Sequence, residues 1–151
     1  MLRNQISEAL KTAMKEKDNR SMSTLRLILA AVKDRDISAR TKGNHDGIND
    51  TELLSLLQSM IKQRRESIDL YNKGGRKELA QQELEEISVI NSFLPIPLSE
   101  KEAGMAVCKI ITETGAKGIK DMGKVMSSLK KQFAGRMDFS KASQVVKKKL
   151  E

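Results

Sequence analysis

Only two prolines occur in this 151-residue sequence, and they stand one residue apart, at Pro95 and Pro97. Each lacks an amide proton, fixes its own φ and pushes the preceding residue out of the helical region. The segment LPIPLSEKE (94–102) therefore breaks any helix, whereas nothing comparable interrupts the chain on either side. With no Trp, one Tyr, three Phe and an abundance of Leu, Lys, Glu, Gln and Ala, the flanking regions favour helix over strand. The expected fold is all-α: an N-terminal four-helix domain over residues 1–94, a proline hinge, and a small three-helix tail domain over residues 98–151. A tail of about 50 residues is near the size at which a domain is marginal alone, so it is expected to lean on a partner or on the first domain.

Apolar spacing and capping signals place the helices. Leu2, Ile6, Leu10 and Met14 recur every four residues, with Ala9 and Ala13 beside them, and predict a first helix ending near Asp18-Asn19. A second begins at about Ser21 and turns Leu25, Ile28, Leu29, Val32 and Ile37 inward. TKGNHDGIND (41–50) reads as a loop. Asn49 followed by Glu52 has the spacing of a capping box and opens a third helix, with Leu53, Leu57, Met60, Ile61, Ile68 and Tyr71 inside and a break at Gly74-Gly75. A fourth runs from about Arg76 to Phe93, with Leu79, Leu84, Ile87, Ile90 and Leu94 as buried candidates. Beyond the prolines, Ser99 and Glu102 make a second capping-box pair, opening a helix that carries Ala103, Val107, Ile110 and Ile111 and stops at Gly115. Two further helices are expected near 120–133 and 139–150, the latter capped by Asp138.

Charge is unevenly distributed. The whole chain carries 28 Lys and Arg against 20 Asp and Glu, a net +8. From Leu98 to Glu151 there are twelve basic and six acidic residues, so the tail holds +6 of that surplus, and Met1–Pro97, with sixteen and fourteen, holds +2. A local cationic excess suits an anionic partner, nucleic acid before a membrane surface, although it serves equally to solubilise. No apolar run is long enough to span a bilayer. Glu8, Glu16 and Asp18 in the amphipathic N-terminus argue against a transit peptide, and the single cysteine, Cys108, fits a reducing compartment, so a cytoplasmic location is expected.

The tail stretch DMGKVMSSLKKQFAGRMD (121–138) resolves into two faces on a helix turning about 100° per residue. Met122, Val125, Met126, Leu129 and Phe133 fall on one side, as a core face in which methionine fills irregular gaps. Lys120, Lys124, Ser127 and Lys131 fall on the other. Lysines one turn apart can each reach a backbone phosphate, a serine hydroxyl can add a contact, and Gly123 admits close approach of another backbone. Arg136 follows directly, then Lys141 and Lys147–Lys149. The same stripe would serve a purely solvated helix face. With no Trp, and with Phe93, Phe133 and Phe139 expected inside, there is no platform for stacking bases, so any RNA contact is expected to be with backbone and shape.

Catalytic and metal chemistry find no foothold. His45, the only histidine, sits in the polar loop with Asp46, Asn49 and Asp50, whose spacing does not make a calcium loop. Cys108 is read as a buried small hydrophobe beside Val107 and Ile111. Glu83, Glu85 and Glu86 are read as a solvated face with pairing four residues apart. No nucleophile–base pair or glycine-rich phosphate loop is recognisable. No catalytic residue, cofactor or metal is expected.

The stretch IKQRRESIDLYNKGGRKELAQQELEEISVINSFLPIPLSEKE (61–102) resembles the YqeY-like family: a basic helix, a Tyr, a Gly-Gly-Arg turn, a Glu-rich helix and then Leu-Pro-x-Pro-Leu-Ser. GAKGIKDMGKVM (115–126) with GRMD (135–138) resembles the tail motif these proteins share with the B subunit of the glutamine-dependent aspartyl/glutamyl-tRNA amidotransferase. The resemblance covers nearly the whole chain and implies a helical N-terminal domain followed by a three-helix tail. In the amidotransferase the tail helps hold tRNA, which implies an RNA-contact role for Lys120, Lys124, Lys131 and Arg136 here; Ser127 and Lys141 join them on spacing alone. The sequence departs from the family at Ser127, often Gly, and at Met137-Asp138-Phe139, often Ala-Asp-Gly. The reading is a non-catalytic tRNA- or RNA-binding accessory, acting alone or with a tRNA-handling complex. Its alternatives are a protein-docking module and a component of a carbon–nitrogen ligase assembly using glutamine as amido donor, although 151 residues leave no room for that machinery.

Overall fold

A computed structural model describes residues 1–151 and bears out the all-helical expectation: seven α-helices, one short 3-10 turn and no strand. The helices are α1 (Leu2–Glu16), α2 (Asn19–Thr41), α3 (Asp50–Lys73), α4 (Lys77–Asn91), α5 (Glu100–Thr114), α6 (Met122–Gln132) and α7 (Phe139–Leu150), with the 3-10 turn at Ile119–Asp121 just before α6. The chain divides into two units, Met1–Leu94 and Pro95–Glu151.

In the first unit α1 packs on α2, and α4 packs on both α2 and α3. The core gathers Leu2, Ile6, Leu25, Ile28, Val32, Leu53, Leu57, Met60 and Ile90. Ala13 is buried where the four-residue repeat pointed to Met14, which is half exposed. Each step of four overshoots a full turn by about 40°, so three steps from Leu2 carry Met14 about 120° round the helix, whereas Ala13 returns almost beneath Leu2. Ile37 and Leu84, expected inside, are likewise exposed, and Leu56, Ala80 and Thr24 are buried instead. Thr24 enters the core because its Oγ1 donates to the Arg20 carbonyl at 3.1 Å, which satisfies the hydroxyl locally.

Side chains close the helix ends. Asp18 caps α2 by accepting from the Ser21 amide at 3.2 Å and the Ser21 hydroxyl at 2.7 Å, and these bonds, the hydroxyl's foremost, hold its carboxyl below the usual carboxylate range. Asn49 accepts from the Glu52 amide at 2.9 Å, so the cap half of the expected box forms at α3. Both halves form at α5, between Ser99 and Glu102. The 42–49 loop is tied down by Arg3 and Asp36. Their side chains make a fork-to-fork pair at 2.7 and 3.0 Å, Arg3 Nη2 also donates to the Ile48 carbonyl at 3.1 Å, and Asp36 Oδ1 accepts the Ile48 amide at 2.9 Å. The Arg3 bond, against a smaller opposing effect of burial, keeps the Asp36 carboxyl below its ordinary range.

The acidic residues of α4 correct the expectation of a solvated face. Arg64, whose side chain is 13% exposed, lies between Glu86 (Nε to Oε2, 2.9 Å) and Glu83 (3.9 Å), and its Nη1 donates to the Met60 carbonyl at 3.2 Å. Glu85 pairs with Arg20 of α2 at 2.8 Å. The ion pairs run between helices, not along one. Burial, reinforced by the neighbouring Glu86 charge, pushes the Glu83 carboxyl up despite Arg64.

The second unit is built from α5, α6 and α7, each packed on the other two. Val107, Ile110, Val125, Leu129, Met137, Val146 and Leu150 are buried together, with Met122, Met126, Phe133 and Phe139 half-buried around them. Cys108 is exposed, contrary to its sequence reading. Val107 and Ile110, with Ile111 beside them, set the inner face of α5, and Cys108 lies about 130° from its centre. Asp138 caps α7, accepting from the Ser140 and Lys141 amides at 2.9 and 3.4 Å.

Candidate nucleic-acid interface

The opposition of faces on α6 is sharper in the structure than composition requires. Val125 and Leu129 are fully buried, while Lys124, Ser127 and Lys131 are exposed on the far side of the same helix. This helix begins at Met122, so Lys120 stands on the preceding 3-10 turn rather than in the α6 stripe, exposed but on a backbone of different pitch. Lys141 is also exposed and belongs to the first turn of α7, a separate helix. The structure thus brings Lys124, Ser127 and Lys131 onto one face and sets Lys120 and Lys141 on neighbouring elements.

None of these ammonium groups is spent on a carboxylate. The ion pair of this unit joins Lys109 to Glu113 along α5, and no acidic oxygen lies within 4 Å of Lys120, Lys124, Lys131, Arg136 or Lys141. Asp121 and Asp138, the latter accepting the Lys141 amide, are the carboxylates that contribute opposing charge here. Asp121 accepts the Lys117 amide at 3.0 Å, and that bond first, then the Gly118 amide and the fields of Lys120 and Lys124, hold its carboxyl below the usual carboxylate range. Its role is to close the turn that leads into α6.

A Cβ placed on Gly123 would meet no atom within 4 Å, nor would one on Gly118. Packing inside the chain therefore asks for neither glycine, and glycine inside a helix costs about 1 kcal/mol relative to alanine.

Arg136 is held differently. It lies in the turn between α6 and α7, half-buried, after Gly135, whose φ of 76° lies in the left-handed region. Its carbonyl accepts the Leu98 amide at 2.8 Å and its Nε donates to the Ile96 carbonyl at 3.0 Å. Sequence reading missed this contact, because the partner is a main-chain oxygen 40 residues away. Lys117 and Lys130 also went unremarked; both are exposed beside the stripe.

No group of three or more His, Cys, Asp or Glu stands close enough to hold a metal ion, and no helix is long and apolar enough to cross a membrane. His45 is exposed in the 42–49 loop of the first unit.

Sequence comparisons follow the whole chain. The family described as Yqey-like protein matches residues 3–150. Relatives named "Altered inheritance of mitochondria protein 41, mitochondrial" match from several yeasts. That of Eremothecium gossypii is 34% identical over 105 residues, covering 67% of this chain and 55% of the relative. That of Lachancea thermotolerans is 32% identical over 110 residues, covering 72% and 57%. That of Vanderwaltozyma polyspora is 30% identical over 153 residues, covering 95% and 80%. The chain thus spans little more than half the length of most of these relatives. With its helical architecture and a match running almost end to end, the chain belongs to the YqeY-like family.

Proposed function

We propose that the second unit is a non-catalytic RNA-binding module whose ligand is tRNA or another structured RNA, working alone or beside a tRNA-handling complex. The observation that carries this reading is the set of exposed cations without carboxylate partners at Lys120, Lys124, Lys131 and Lys141, around a helix whose opposite face is the core. Unneutralised, exposed ammonium groups attract a polyanion and release its counterions. Phe133 and Phe139 pack against the core, so the contact is with phosphates and ribose rather than stacked bases. Kinship of the tail motif with the amidotransferase B subunit supports tRNA in particular. We assign no ligase step to the chain: its one histidine lies on a loop of the first unit and its one cysteine on an exposed helix face of the second.

The compartment belongs to the same proposal. The yeast relatives' names point to mitochondria. The cytoplasm is the expectation from the sequence, and Leu2 and Ile6 make α1 part of the folded core. Both compartments hold tRNA, and imaging of the tagged chain decides between them.

Gel-shift titration of the full chain with tRNA over a salt series tests the function. Three to four engaged phosphates give a log–log slope of about −3, at about −0.9 per phosphate on duplex-like RNA. A flat slope, or no binding at low salt, removes the RNA reading.

A further inference from the structure

The tail carries one cation whose side chain is hydrogen-bonded to the main chain before any ligand arrives. Arg136 is clasped at three points: its amide donates to the Phe133 carbonyl at 3.0 Å, its carbonyl accepts from Leu98, and its Nε donates to Ile96. The Ile96 carbonyl belongs to an exposed Pro-Ile-Pro run in which both prolines have fixed φ, so the acceptor itself has little freedom. A guanidinium has five N–H donors in a rigid plane, and Ile96 takes one. No carboxylate lies within ion-pair reach, which leaves the Nη1–Nη2 edge, the fork that fits two oxygens of one phosphate, without a partner. Ile96 is 81% exposed, so the held guanidinium sits beside open surface. The lysines of α6 are point charges on flexible stems and must be ordered when they bind.

We propose that Arg136 is the anchor of the interface: a bidentate receptor for a single phosphodiester, positioned by the Ile96 carbonyl, with the α6 lysines supplying diffuse attraction around it. This rests on the RNA reading and sharpens it, because it moves the centre of recognition from the α6 stripe to the junction of the Pro95–Leu98 and Gly135–Arg136 segments. Affinity then depends on the shape of the cation at residue 136 as well as on its charge.

The test compares the full chain with its Arg136→Ala and Arg136→Lys variants, titrated with a tRNA transcript from about 50 to 200 mM salt. Arg136→Ala is expected to weaken binding about tenfold and to reduce the log–log slope by about 0.7–0.9, one phosphate's worth. Arg136→Lys is expected to keep the slope and still lose about fivefold, because the charge remains while the fork and its Ile96 anchor are gone. The Leu98–Arg136 main-chain bond is available to both variants, and thermal unfolding verifies that they fold. Should Arg136→Ala unfold, the lysine variant decides alone. An unchanged slope in Arg136→Ala shows that the residue merely fastens the proline segment, and Arg136→Lys binding as tightly as the unaltered chain shows that the fork is irrelevant; either overturns the anchor while leaving the RNA reading intact. If the unaltered chain binds no RNA, both fall together.

Discussion

The two units use charge in opposite ways. In the first, cations face carboxylates across helix boundaries: Arg3 with Asp36, Arg20 with Glu85, and Arg64 with Glu83 and Glu86. Its near balance of sixteen basic and fourteen acidic residues is partly tied up in architecture. In the second, where basic residues outnumber acidic ones two to one, the ion pair is a single one along α5, and the lysines of the 3-10 turn, α6 and α7 have none. Charge that is paired between helices fixes a fold; charge left free creates a field that reaches outward. The difference separates residues whose loss should show in stability from residues whose loss should show in binding.

The largest break in that division is expected at Arg64. Arg64→Ala leaves Glu83 and Glu86 facing each other half-buried and should lower unfolding stability by about 2 kcal/mol, read by denaturant titration, with RNA affinity unchanged. Next is Asp36→Asn, which removes the acceptor fork for Arg3 and should cost about 1–2 kcal/mol at neutral pH. Because the Asp36 carboxyl is held below its unfolded value, its contribution is complete above the ordinary carboxylate range and is lost as pH falls through the folded value. The variant should therefore show a flatter stability profile on the acid side. Glu83 carries the reverse sign: its raised carboxyl favours the fold below the ordinary range and loses that contribution as pH rises through the folded value, so Glu83→Gln should remove a decline toward neutral pH.

On the binding side, Lys124→Glu should weaken tRNA binding about tenfold, through one lost phosphate contact and the repulsion added, and leave the unfolding curve in place. The smallest effect concerns Lys17, the C-cap of α1, at φ 57°. A non-glycine residue in that region is strained, so Lys17→Gly should gain about 0.5–1 kcal/mol, detectable as a small rise in unfolding temperature.

Much of this architecture could be read from local signals. The prolines, the Ser99–Glu102 box, the Asp138 cap and the apolar faces of α3, α5 and α6 are each written within a few neighbouring residues, and local chemistry decides them. Where a face had to be extrapolated over several turns, the misses followed: Met14 drifted off its stripe, and Ile37 and Leu84 fell outside their helices' buried arcs. The pairing of Glu83 and Glu86 with Arg64 was hidden because the partner lies on another helix and nothing in the spacing of α4 names it. The same holds for Arg136, whose charge was visible in the sequence and whose anchorage to a carbonyl across the tail was not. The cations of the candidate interface were legible as residues, whereas their freedom from carboxylates is a property of the folded surface.

The most direct measurement is residue-resolved: amide chemical-shift mapping of the full chain titrated with tRNA at low salt. Perturbations concentrated at the 3-10 turn, the lysine face of α6, Gly135–Arg136 and the first turn of α7, with α1–α4 largely silent, are the expected result. Perturbations concentrated on α1–α4, or none at saturating tRNA, would contradict it.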